Sequence, residues 1–249
     1  MRRLWGLSVF AVLVLFLASA TLAQTGPQGR GMDQPVSKAT ATDEDDDDDD
    51  EDDLLDPPPF FGEDGAVGEK MKIVWCLDRS GSMGGSGGTF TGPDGNPMTG
   101  SRWDRAKAET SIALSQLTPE WEFGILTYTC SSDKFSQDLV PAEDSVVSAA
   151  IAWLNGHFPG GLTGTGPAQA EAFHHADGGT VEGSATCWLL SDGQPNCGAA
   201  GTTGHKTMAL AANGTGHVLN TVGIGDSGIF AAFMRELAEA TGGVYVHVQ

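Results

Sequence analysis

An aspartate and two serines stand at alternate positions in a glycine-rich stretch, Asp78-Arg79-Ser80-Gly81-Ser82-Met83, directly after an apolar run. In a tight turn such residues offer one carboxylate and two hydroxyl oxygens to a common point. An all-oxygen set suits a hard cation, above all Mg²⁺, which takes a near-octahedral shell and keeps several of its waters. Glycine beside the ligands lets the backbone fold closely around the ion. A second aspartate, Asp192, follows another apolar run and precedes Gly193. Ser, Asp and Gly are also ordinary residues of strand–helix turns, so the motif has meaning only if a scaffold brings these loops together.

The scaffold is legible in the hydrophobic pattern. Lys72 to Leu77 is short and almost continuously apolar, as expected of a strand buried on both faces of a parallel sheet. Residues 122–129, 185–190, 217–224 and 244–248 also read as strands, and 136–140 as a short edge strand. Between them, residues 102–117, 145–154, 167–175, 208–212 and 229–240 have helical spacing and composition. Strands alternating with helices predict an α/β fold, a doubly wound, mostly parallel sheet with helices on both faces and one short antiparallel edge strand. In such sheets ligands bind beyond the carboxyl ends of the strands, where strand order reverses. Asp78 and Asp192 both fall at such ends.

Here the residues resemble a known family. Asp-x-Ser-x-Ser is similar to the metal-ion-dependent adhesion site of von Willebrand factor type A (vWA) domains. Gly160-Gly161-Leu162-Thr163-Gly164-Thr165-Gly166 resembles that family's threonine-bearing loop, and Leu189 to Pro195 (LLSDGQP) resembles its second aspartate loop. Residues 221–225 and 237–243 are similar to the family's late strand and last helix turn. The likeness runs from about residue 70 to residue 248, in order. A lone Asp-x-Ser-x-Ser says little; three ligand loops in order say much more. The resemblance implies hydroxyl ligands from Ser80, Ser82 and Thr163, with Thr165 as the alternative in the same loop. Asp78 and Asp192 would bind directly or through waters. It further implies Mg²⁺, with Mn²⁺ or Ca²⁺ as substitutes, and one open position filled by an exposed Asp or Glu of a protein ligand. Two departures stand out. Residues 84–101 make a long loop after the first strand, with 91–97 reading as turns. The sequence also ends at Gln249, directly after the last strand, where the family often has a final helix whose displacement couples to metal affinity; such switching is not expected here.

Charge is distributed unevenly. The 249 residues hold 13 Lys+Arg against 33 Asp+Glu, a net of −20, and 11 of those carboxylates form the unbroken run Asp43 to Asp53. Such a run self-repels and buries nothing, so residues 24–67 read as a disordered linker ahead of a vWA-like domain at 68–249. The acidic balance excludes an electrostatic nucleic-acid binder and disfavours docking on anionic lipid. Residues 1–23 read as a signal peptide: Arg2 and Arg3, the apolar stretch Leu7 to Leu17, then Thr21-Leu22-Ala23. An uncleaved anchor is the competing reading. The expected location is extracytoplasmic (secreted, periplasmic or at the cell surface), with no membrane insertion of the mature domain. Export permits disulfides, and four cysteines allow three full pairings. Cys76 and Cys187 lie inside apolar runs and read as buried, whereas Cys130 and Cys197 follow strand ends; Cys130–Cys197 is the preferred bridge.

Two other motifs carry less. Gly84 to Gly88 satisfies G-x-S-x-G, but a glycine-only stretch past the strand end cannot hold the strained turn of a nucleophile elbow. His174 and His175 with Asp177 lack a third ligand at metal spacing and read as an exposed helix end. The expectation is therefore a non-enzymatic, cation-dependent protein-binding module. An acidic scaffold or Ca²⁺-binding spacer is the alternative. A metal-assisted hydrolase stands further off, because no base or nucleophile is positioned and Asp78 is followed by Ser80 instead of a second aspartate.

Overall fold

The computed structural model describes residues 56–225 and 229–249; the expected signal peptide (1–23) and acidic run (43–53) lie outside them. The run Lys72–Asp78 forms β1, buried along its whole length. It is buried because parallel strands flank it on both sides, β4 (Glu122–Tyr128) and β7 (Thr186–Ser191). Beyond β7, β8 (Val218–Ile224) and β9 (Tyr245–Val248) continue the parallel pairing. The order is β5-β4-β1-β7-β8-β9, with β5 (Ser132–Lys134) and β6 (Val140–Pro141) both antiparallel to β4. The sheet is thus the doubly wound, mostly parallel one expected. Its edge differs: two short segments replace the single strand expected at 136–140. Phe135 stacks on Phe123 on one face while Leu139 is buried in the opposite cluster, so the residues between them leave the edge.

Alternation along β1 divides the core. Ile73, Trp75 and Leu77 point to a cluster with α1 (Arg102–Leu114) and α2 (Asp144–Asn155). Val74 and Cys76 point to a cluster with α3 (Thr165–Ala176), α4 (Gly201–Ala212) and α5 (Ile229–Glu239). Helix α4 starts well before residue 208, because His205 and Ala209 both bury one of its faces.

The domain begins earlier than expected. The linker expected from the sequence includes residues 57–67, yet Pro57, Pro58 and Phe60 are buried. Phe60 sets its ring 5.2 Å from Trp188 and 6.4 Å from Trp75. Asn220 on β8 holds the backbone of Ala66 from both sides, accepting from its N–H at 3.0 Å and donating to its carbonyl at 2.8 Å. At Gly65 a Cβ would lie 2.5 Å from Trp188 and Asn220, so only glycine permits this approach. Polar composition does not show where the fold begins, because a single buried ring decides whether a short segment docks.

The long segment after β1 is also more ordered than its turn-rich sequence suggests. It forms a hairpin of β2 (Ser86–Thr91) and β3 (Pro97–Ser101), closed around Gly95 at φ +78°. Ser86 of the G-x-S-x-G stretch opens β2 instead of a strand-to-helix elbow. At Gly87 a Cβ would lie 2.5 Å from the Ser101 carbonyl, so the hairpin presses on the start of α1.

Candidate metal centre

Because β1 and β7 are adjacent and parallel, their carboxyl ends emerge on one rim. Asp78, the last residue of β1, is fully buried. Its Oδ1 accepts the Ser80 backbone N–H at 2.7 Å and its Oδ2 accepts the Ser191 hydroxyl at 2.5 Å. The chain then makes one 3-10 turn at Gly81–Gly84. That geometry leaves the Ser80 and Ser82 hydroxyls 3.2 Å apart, and Ser82 donates to Asp192 Oδ1 at 2.7 Å. Asp78, Ser80, Ser82 and Asp192 therefore share one cluster of oxygens.

The threonine loop lies against both aspartate loops. Gly160 N–H donates to the Arg79 carbonyl at 2.8 Å, and Gly81 N–H to the Gly161 carbonyl at 3.0 Å. Asn196 locks Thr163, its side chain accepting from the Thr163 N–H at 2.8 Å while its own N–H donates to the Thr163 carbonyl. The Cys130–Cys197 disulfide, with Cα atoms 5.8 Å apart, joins the loops after β4 and β7. Gly164 threads beside it: a Cβ there would lie 2.8 Å from the Thr129 carbonyl. Thr163 and Thr165 now separate. Thr165 opens α3 with its hydroxyl fully buried against Tyr128 and without a partner of good geometry. Thr163 is buried beside the aspartate loops, and among the described residues no hydrogen bond engages its hydroxyl.

Electrostatics mark the same place. Burial pushes the Asp78 carboxyl up to about 6, against the pull of hydrogen bonds from Ser191 and Ser80, and the Asp192 charge adds to the rise. A second charge, from 90 residues earlier in the chain, also enters the site: Arg102 Nη1 donates to Asp192 Oδ2 at 2.6 Å. Among the described residues no three His, Cys, Asp or Glu side chains gather around a point, so a cation here would depend on hydroxyls together with two carboxylates. That donor set is all oxygen and fits Mg²⁺ far better than Zn²⁺. Buried, under-compensated negative charge is also what a dication relieves.

Ser191, Asn196 and Arg102 belong to the site although no motif in the sequence marks them as such. Ser191 is adjacent to Asp192 and open to suspicion for that reason alone. No local pattern marks Arg102, whose partner lies on another loop. His175 differs from expectation too: His174 is exposed, but His175 is buried at the helix end.

No family model matches this sequence, and no curated protein does. Solved structures do. BatB of Bacteroides thetaiotaomicron superposes with a TM-score of 0.54 at 17% identity, over 72% of this chain and 90% of that one. A von Willebrand factor type A protein of Catenulispora acidiphila gives 0.54 at 19%, over 72% of this chain and 39% of that one. The vWF domain of Mfa5, a type V pili tip protein of Porphyromonas gingivalis, gives 0.52 at 12%, over 74% of this chain and 90% of that one. At such identities a likeness speaks for architecture alone. The sheet order, the helical layers and these superpositions agree that the chain carries a von Willebrand factor type A fold.

Proposed function

We propose that this protein binds a divalent cation, Mg²⁺ foremost, through Asp78, Ser80, Ser82, Thr163 and Asp192, and uses it to hold a carboxylate of a protein partner. The carrying observation is the cluster where β1 and β7 end: the Ser80 and Ser82 hydroxyls lie 3.2 Å apart, Ser82 donates to Asp192 at 2.7 Å, and the Ser80 backbone N–H donates to Asp78 at 2.7 Å. The rim suits a protein partner. Phe158 and Leu162, on the loop that carries Thr163, are 71% and 53% exposed, large apolar side chains beside a charged site. The likeness to a pili tip domain supports protein binding outside the cytoplasm, in line with the signal-peptide reading of residues 1–23. Among the described residues no helix is long and apolar enough to cross a membrane.

Isothermal titration of the full-length chain with MgCl₂, MnCl₂ and CaCl₂ tests this reading. One saturable site is expected, lost in Asp78→Ala and in Asp192→Ala. No saturable uptake, or uptake unchanged in both variants, rejects it. Uptake that disappears only when residues 43–53 are deleted assigns the cation to the acidic run and supports the scaffold alternative.

A further inference from the structure

We infer that Arg102 sets the net charge of this site, weakening the hold on the cation while making the loaded site select an anionic group. The inference rests on the cation-binding reading above. Its geometry is independent of it.

Arg102 is the first residue of α1, and that helix start is well fixed. Ser101 and Asp104 form a capping box, and the Arg102 N–H donates to the Gly85 carbonyl at 2.9 Å. The guanidinium lies against Gly225, where a Cβ would sit 3.0 Å from Nη2, and its buried Nε has no hydrogen-bond partner among the described residues. Among the described residues its one acidic contact is Asp192, whose side chain is fully buried. The two oxygens of Asp192 are thus divided, Oδ1 taken by Ser82 and Oδ2 by Arg102. The neighbouring cation, Arg79, is already paired with Asp133 and does not alter the balance.

Among the described residues two carboxylates and one guanidinium give the site a net charge of minus one before a cation binds. A bound dication makes it singly positive, whereas without Arg102 the loaded site would be neutral. A site with residual positive charge favours a carboxylate over water at the open position. The same charge repels the incoming cation.

The sign of the effect on cation affinity tests this. In MnCl₂ titrations of the full-length chain, Arg102→Gln is expected to bind about tenfold more tightly, from the removal of one unit charge a few ångströms from a dication. Arg102→Glu should bind more tightly still, and Arg102→Lys should match the wild type. With Mn²⁺ saturating, acetate should suppress water-proton relaxation at lower concentration in the wild type than in Arg102→Gln. Weaker Mn²⁺ binding in the Gln and Glu variants would make Arg102 a mere buttress for Asp192 and overturn the inference; unchanged binding overturns it as well. If Arg102→Glu does not fold, by circular dichroism, the Gln and Lys variants decide the sign alone. A wild type without saturable Mn²⁺ uptake instead defeats the cation-binding reading itself.

Discussion

Asp78→Asn is expected to abolish cation binding and, in the metal-free protein at pH 7, to raise the unfolding free energy by about 3 kcal/mol. The two effects share one cause. In the unfolded chain the Asp78 carboxyl titrates near 3.8, and in the folded chain burial pushes it up to about 6. Between those values the folded state keeps a proton that the unfolded state has released. Stability therefore falls as pH rises through this window and levels off above it. Asparagine keeps an oxygen for the Ser80 N–H and has no charge to bury. Its amide faces Ser191, whose hydroxyl can rotate to accept. Urea unfolding of both proteins in EDTA, at pH 7 and pH 4, checks this. The Asn variant should be more stable at pH 7, and the gap should close near pH 4, where the folded wild type is mostly protonated. Saturating Mg²⁺ should stabilise only the wild type. A less stable Asn variant in EDTA at pH 7 would show that Asp78 is not a destabilised carboxylate.

The second large effect lies outside the candidate site. Phe60→Ala in the full-length chain is expected to lower the unfolding free energy by about 4 kcal/mol, as for other fully buried aromatic truncations. Phe60 is 0% exposed, and its ring bridges Trp75 on β1 and Trp188 on β7. Removing it leaves a cavity over the two strands whose ends carry Asp78 and Asp192. Phe60→Leu keeps most of the volume and should cost under about 1.5 kcal/mol. Thermal or denaturant unfolding measures both. A loss below 1 kcal/mol for Phe60→Ala, on the order of a surface change, would mean that residues 57–67 are not part of the folded core. The expected result also argues against studying a fragment that starts at residue 68, since it would lack this ring.

The contrast between these positions shows what a sequence can carry. Strand β1 was legible because a strand buried on both faces writes itself as an unbroken apolar run, and β7 was legible for the same reason. Helix α1 was legible from its composition and spacing. Phe60 was not, since one aromatic in a polar, proline-rich stretch has no period, and the sheet that receives it is assembled from distant segments. The β2–β3 hairpin was hidden by its glycines and prolines, which signal turns more strongly than Thr89, Phe90 and Thr91 signal a strand.

The candidate site divides along the same line. The chemical character of the rim is written in the chain: Asp78, Ser80 and Ser82 within one turn, Asp192 after a second buried strand, and the fold class that sets such strand ends side by side. These are local properties, encoded by neighbours in the chain and by hydrophobic period. How the donors are held depends on contacts made in three dimensions. The fold placed Ser191 under Asp78, locked Thr163 with Asn196, sank the Thr165 hydroxyl against Tyr128, and set Arg102 on Asp192 across 90 residues. Such contacts leave no trace in a linear pattern, because the strength of an ion pair or buried hydrogen bond depends on distance and burial. Both exist only once the sheet has closed.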